Sequence, residues 1–133
     1  MRAAVRRLAT FVGVGSAAAA VHLGTVKMLV EALGWPPIAS NVVGWGVAFV
    51  VSYLGHRSLT FSDQQAPRGQ TLRRFFLVSA TAFAVNELTY AALLAWTPLR
   101  YDVALFLVLV GVAVFTYLSS RHWAFLDSSA SRP

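Results

Sequence analysis

The chain has 133 residues, of which 57% are hydrophobic and only 12% are charged. Soluble domains average about 45–50% apolar and about 25% charged residues, so this chain carries too little charge to cover a soluble globule. Eleven basic against five acidic residues give a net charge of +6, but nucleic-acid binders carry a denser Lys/Arg face, so a membrane is the expected location and no nucleic acid is expected as a partner.

Four long apolar segments follow one another, at about 8–33, 38–54, 75–96 and 103–119. At about 1.5 Å per residue, each is roughly long enough to cross the ~30 Å hydrocarbon core as a helix. The last segment also lacks the polar stripe of a soluble helix. The first has the basic start of a signal peptide, but it is long for one and is expected to be retained. The sequence therefore predicts an all-α membrane protein with four transmembrane helices.

Short breaks join these segments into two helical hairpins. Gly34-Trp35-Pro36-Pro37 separates the first two segments, and residues 97–102 separate the last two. A polar stretch lies between the hairpins. We predict a single membrane domain over 1–133, made of a first repeat at about 8–61, a polar linker at about 62–73, a second repeat at about 74–125 and a flexible tail at 126–133.

The basic residues predict the orientation. Nine of the eleven lie before the first hairpin, between the hairpins or after the second, and only Arg100 lies in a turn on the opposite side. The positive-inside rule therefore places both termini and the linker in the cytoplasm.

The two hairpins repeat one pattern. Residues 11–61 align without gaps onto 75–125 at an offset of 64, and both copies end in Tyr-Leu-x-x-Arg-x-x-x-Phe. Because each copy holds two spans, both copies enter from the same side, as in parallel-repeat transporters.

The repeated motif places Arg57 and Arg121 where the second and fourth spans leave the membrane. A guanidinium offers a planar fork to phosphate oxygens, so both arginines are candidates to bind a phosphate at headgroup depth. Anchoring at the interface is the alternative. The aromatic residues expected to line a lipid chain or the interface are Tyr53, Phe61, Tyr117, Trp123 and Phe125.

Three polar residues inside the predicted spans are candidate site residues. Glu87 lies about 18 Å into the third span, where a charge costs about 2.5–3.5 kcal/mol on insertion scales. His22 and Asn86 occupy equivalent repeat positions, and Asn86 adjoins Glu87. The pattern predicts a polar cluster between the first and third spans, either as a passage for a polar headgroup or as interhelical hydrogen bonding.

From about Arg7 to Phe125 the chain resembles the GtrA-like family of small four-span bacterial membrane proteins. The aromatic and Val-Gly start of that family is similar to Phe11-Val12-Gly13, and its usual polar position corresponds to His22 and Asn86. The family's closing stretch of an aromatic, arginines and phenylalanine is similar to residues 53–61 and 117–125. The departures are His22 instead of an acid, and no Asn before either arginine.

The resemblance implies movement of a polyprenyl-phosphate-linked sugar from the cytoplasmic to the periplasmic leaflet of the bacterial inner membrane, for cell-surface polysaccharide synthesis. It also implies a membrane glycosyltransferase as a working partner. The small size of the chain favours a homo-oligomer, most simply a dimer. No Ser/His/Asp triad, HExxH or Walker motif occurs, so no enzymatic activity, cofactor or metal is expected.

Two alternative functions belong to different classes of protein. A small proton-coupled exporter would use Glu87, although such exporters usually place the key acid in the first span. A non-transporting partner of a polyprenyl-phosphate glycosyltransferase would need no passage at all.

Overall fold

The computed structural model describes residues 1–60, 62 and 67–130, with residues 116–130 as helical backbone only. The regular structure of this part of the chain is entirely helical. In chain order the elements are α1 (Arg2–Leu33), α2 (Pro37–Gly55), a π-helical turn (His56–Thr60), α3 (Arg68–Trp96) and α4 (Tyr101–Ala130).

The break between α1 and α2 follows from its residues. Gly34 adopts a left-handed conformation with φ of 66°, which glycine reaches without steric cost. In that conformation the N–H groups of Gly34 and Trp35 donate to the last carbonyls of α1, at 3.2 and 3.1 Å. Pro37 then occupies the first helical position, where its missing N–H costs nothing. The two helices therefore fold back as a hairpin.

Three helices extend well beyond the apolar segments that predicted them. Helix α1 begins at Arg2, α3 begins at Arg68, inside the predicted linker, and α4 continues to Ala130, inside the predicted tail. Hydropathy marks where a segment leaves the hydrocarbon, whereas a helix continues as long as its residues favour it. Arginine, glutamine and leucine in the first turns of α3 are good helix formers.

The outer surface of the bundle is apolar. Among the described residues, three helical segments are long and apolar enough to cross a membrane: Arg2–Leu33, Pro37–Thr60 and Arg68–Trp96. The part of α4 whose side chains are described, Tyr101–Phe115, is apolar as well. Large apolar side chains point outward, with Leu88 74% and Phe115 72% exposed. Such a surface suits lipid and not water, and the prediction of a helical membrane protein is confirmed to this extent.

The buried core joins both hairpins. It lies between α1, α3 and α4 and consists of Val26, Tyr90, Ala104, Leu105 and Val108. Within it, the hydroxyl of Tyr90 donates to the backbone carbonyl of Tyr101 at 3.2 Å, so the one polar atom of that side chain is satisfied away from water.

Helices α1 and α2 pack closely because Gly44 has no side chain. A Cβ built at Gly44 would lie 2.8 Å from side-chain atoms of His22 and Val26 and 3.1 Å from the His22 carbonyl oxygen. We expect Gly44→Ala to lower the free energy of unfolding by about 1–3 kcal/mol through overpacking. Thermal unfolding in detergent micelles measures this loss.

Gly46 provides the matched control on the same helix, because a Cβ there meets nothing within 4 Å. Gly46→Ala should be neutral or stabilising, by up to about 1 kcal/mol, since alanine favours a helix. Equal losses in the two variants would contradict the close packing of α1 against α2.

The helices share two ends. At one end the start of α1 reaches the π-helical turn, where the rings of Phe11 and His56 stack with centroids 4.8 Å apart. At the other end Lys27 of α1 pairs with Asp102 of α4 at 2.9 Å. We call these the Arg57 end and the Lys27 end.

Candidate functional site

A buried polar cluster lies between α1, α2 and α3. His22 Nε2 is 2.7 Å from Asn41 Oδ1, and Asn41 Nδ2 donates to Asn86 Oδ1 at 3.0 Å and to Glu87 Oε2. Asn41 is fully buried, and His22 and Asn86 are each 5% exposed. The structure thus brings together the three intramembrane polar residues singled out from the sequence, with Asn41 at their centre.

The hydrogen bonds assign the donors in this cluster. Because the amide nitrogen of Asn41 donates to Asn86 and Glu87, its oxygen accepts from His22, which therefore carries a proton on Nε2. Glu87 Oε1 is buried and has no hydrogen-bond partner among the described residues. An unsatisfied buried oxygen is costly, so the cluster can accept one further donor.

Asn41 has no polar residue at the equivalent position of the second repeat, so the repeat pattern does not point to it. At the offset of 64 its counterpart is Leu105, which is an apolar core residue. The signal that could have found it is an amide inside an apolar span, because such a group needs a partner within the protein.

Arg57 lies in the π-helical turn and reaches the first turn of α3. Its Nη1 donates to Thr71 Oγ1 at 2.9 Å and to Tyr53 Oη at 3.3 Å. Within the described residues these bonds go to neutral hydroxyls, and no carboxylate pairs with Arg57. The guanidinium has five N–H donors, so it retains donors for an anionic oxygen. Short π-helical segments are frequent at functional sites.

The Arg57 end is strongly basic. Among the side chains that the structure describes, none at this end is acidic. Six further arginines occupy the first turns of α1 and α3: Arg2, Arg6, Arg7, Arg68, Arg73 and Arg74. Clustered charge of one sign raises the local concentration of its counter-ion, so this end attracts anionic groups.

The remaining motif residues lie outside the part of the chain whose side chains are described. Phe61 falls between the described ranges, and the side chains of the second motif fall in the backbone-only part of α4. Those second-motif residues are Tyr117, Arg121, Trp123 and Phe125. Their assignments to phosphate or to the interface stay predictions.

Four charged residues form a closed network at the Lys27 end. Lys27 pairs with Glu31 at 3.1 Å and with Asp102 at 2.9 Å, and Arg100 pairs with the same two carboxylates at 3.2 and 3.0 Å. The hydroxyl of Tyr101 donates to Glu31 at 2.6 Å. The carboxylate of Asp102 raises the pKa of Arg100 above its ordinary value. This network ties α1 to the second hairpin.

An apolar groove of about 510 Å³ opens between α3 and α4. Its lining is almost entirely apolar and includes Val85, Leu93, Leu107, Gly111 and Phe115. A hydrocarbon chain fits such a surface, because it loses no hydrogen bonds there.

A family model described as the GtrA/DPMS transmembrane domain matches residues 10–125. The chain belongs to this family. The match covers both hairpins, and the resemblance seen in the sequence is confirmed. No curated protein and no solved structure matches this GtrA/DPMS-family chain. Membership links the protein to the handling of lipid-linked sugars, in a family that is generally non-catalytic.

Proposed function

We propose that this GtrA/DPMS-family protein moves a polyprenyl-phosphate-linked sugar across the bacterial inner membrane, from the cytoplasmic leaflet to the opposite one. The observation that carries the proposal is the guanidinium of Arg57, which lies at a membrane end in a basic field and pairs with no carboxylate among the described residues. A phosphate diester at headgroup depth has the charge and geometry that such a guanidinium binds.

The polar cluster supports the same function at mid-depth. A sugar carries hydroxyl groups that need partners when they leave water. Asn41, Asn86 and Glu87 can exchange bonds among themselves for bonds to those hydroxyls, and Glu87 Oε1 has no described partner to give up first. The cluster would thereby lower the cost of carrying the sugar through the bilayer.

The prenyl chain would remain in the hydrocarbon throughout. The outer surface and the groove between α3 and α4 are apolar, so only the phosphate and the sugar need protein contacts that lipid does not supply. Arg121 would supply a second phosphate contact, and a membrane glycosyltransferase would supply the sugar lipid on the cytoplasmic side. A second copy of the chain would complete the enclosure of the headgroup.

Reconstitution tests the proposal. Purified protein is placed in vesicles that contain a short-chain polyprenyl-phosphate sugar, and membrane-impermeant periodate is added to oxidise the sugars exposed on the outside. We expect nearly all the sugar lipid to react when the protein is present, and only the outer-leaflet share in protein-free vesicles. Equal protection in the two preparations would overturn the proposal. Substrate-driven proton release that Glu87→Gln abolishes would favour the proton-coupled exporter instead.

A further inference from the structure

Helices α2 and α3 face each other through two series of side chains, each spaced four residues apart. Residues four apart on a helix lie on nearly the same face. On α2 and the π-helical turn the series is Asn41, Trp45, Phe49, Tyr53 and Arg57. On α3 the series is Thr71, Phe75, Ser79, Phe83 and Glu87. We call these ten residues the α2–α3 seam.

The two series meet in antiparallel order, and the outermost contacts are polar. Arg57 donates to Thr71 at one end, and Asn41 donates to Glu87 at the other. The seam thus begins at the candidate phosphate site and ends in the buried polar cluster. Sixteen residues separate Arg57 from Asn41, which corresponds to about 24 Å along the helix axis.

Aromatic rings fill the middle of the seam. Tyr53 and Phe75 lie with ring centroids 5.7 Å apart, and Phe49 and Phe75 lie 5.5 Å apart. Trp45 and Phe83 are stacked at 4.8 Å with planes 18° apart. Successive positions are about 6 Å apart along the axis, which is close to the width of one sugar ring.

Two polar groups interrupt the aromatic stretch. Trp45 Nε1 donates to Ser79 Oγ at 3.0 Å, in the middle of the seam. Both groups are half-buried, and both can rebond to a hydroxyl. The aromatic stretch of the seam therefore holds one hydrogen-bonding pair in its middle.

We infer that the α2–α3 seam is the route along which the sugar ring travels between Arg57 and the buried polar cluster. This inference rests on the proposed function. The face of an aromatic ring is electron-rich and attracts the C–H groups that a sugar ring presents on its faces, but it repels anionic oxygens. The seam therefore selects the sugar, while Arg57 selects the phosphate.

The two contacts of α2 differ in a way that favours opening at α3. Against α1, helix α2 packs so closely that a Cβ at Gly55 would lie 2.7 Å from a side-chain atom of Val14, so the two helices leave no gap at this position. Against α3 the contact is made by large half-buried rings, and Phe76 at its edge is 45% exposed. Ring-to-ring contacts can be exchanged for ring-to-sugar contacts through side-chain rotation.

Phe49→Leu tests the route, because leucine keeps an apolar side chain but has no ring face. Two quantities are measured for purified protein: the transport rate of a short-chain polyprenyl-phosphate sugar in vesicles, and the affinity for the same lipid without sugar. We expect the rate to fall about three- to tenfold and the affinity to stay within about twofold of wild type. Phe49→Tyr, which keeps the ring, should transport at close to the wild-type rate.

Phe106→Leu is the matched control, since Phe106 lies outside the seam on α4 and is 55% exposed; its rate should not change. Phe83→Leu should reproduce the selective loss at another position of the seam, and it serves as the test if Phe49→Leu does not fold. An unchanged rate in the folded seam variant, or an equal loss of rate and of affinity, would overturn the route. Wild-type protein that moves no sugar lipid would instead overturn the proposed function, and the route with it.

Discussion

Replacing Arg57 with alanine is expected to weaken binding of a short-chain polyprenyl phosphate about 10- to 100-fold, because a hydrogen bond to a charged group contributes about 1.5–3 kcal/mol. The guanidinium is half-buried and held by Thr71 and Tyr53, so its orientation is fixed before the phosphate arrives. Titration of the purified protein in detergent with the lipid measures the affinity.

Two control variants separate a defined site from a diffuse basic field. Arg57→Lys keeps the charge but loses the planar fork, so its affinity should fall between those of wild type and Arg57→Ala. Arg73 is an exposed arginine at the same end, and Arg73→Ala should change the affinity by no more than about threefold, as expected for a screened surface charge. A loss in Arg73→Ala as large as that in Arg57→Ala would show that the phosphate responds to the overall field alone.

Asn41→Leu is expected to lower the free energy of unfolding by about 1–3 kcal/mol, since it leaves buried polar groups unpaired. His22, Asn86 and Glu87 all lose a bond to the same amide in this variant. Leucine itself suits the position, because Leu105 occupies the equivalent place in the second repeat. Thermal or denaturant unfolding in micelles measures the loss, and reconstituted vesicles measure the accompanying fall in sugar-lipid transport.

Ser40→Ala is the control for this substitution. Ser40 is also fully buried, but its hydroxyl donates to the Pro36 carbonyl of its own helix start at 3.0 Å. Its removal should therefore leave the contacts between helices intact and cost less than Asn41→Leu. If Asn41→Leu unfolded at the wild-type temperature, the cluster would contribute no net stability. The expectation that the Asn41 hydrogen bonds stabilise the helix bundle would then be contradicted.

Most of the fold could be predicted from sequence because a bilayer restricts the backbone conformations that a chain can adopt. A long apolar segment has to form a helix in lipid, and a break such as Gly34 to Pro37 has to be a turn. Helix ends outside the hydrocarbon could not be predicted, because hydropathy no longer reports on helix formation there. Arg68 and Ala130 are the clearest examples.

The site was harder to predict because its contacts depend on which faces of different helices meet. Charge, polarity and repeat position point to His22, Asn86 and Glu87, but Asn41, which joins them, has no polar counterpart in the repeat. The seam was partly visible, since Tyr53 and Arg57 were recognised at a spacing of four residues. Its continuation to Trp45 and its pairing with α3 require the helix register, which no spacing within one helix supplies.

The network at the Lys27 end likewise combines a contact within one helix, which spacing predicts, with contacts between helices, which spacing does not predict. Lys27 and Glu31 are one helical turn apart, so their pairing is readable from sequence. Arg100 and Asp102 join them from about seventy residues away, because the two hairpins come together at that end.

The role of the two motif arginines is tested by comparing sugar-lipid transport by the wild type and by the double variant Arg57→Ala, Arg121→Ala in identical vesicles. Equal amounts of the two proteins are reconstituted, and Arg57 lies outside the buried core that joins α1, α3 and α4. We expect the wild type to expose the inner-leaflet sugar to external periodate and the double variant to leave it protected. Transport by the double variant at the wild-type rate would contradict the proposed phosphate contacts of the two arginines.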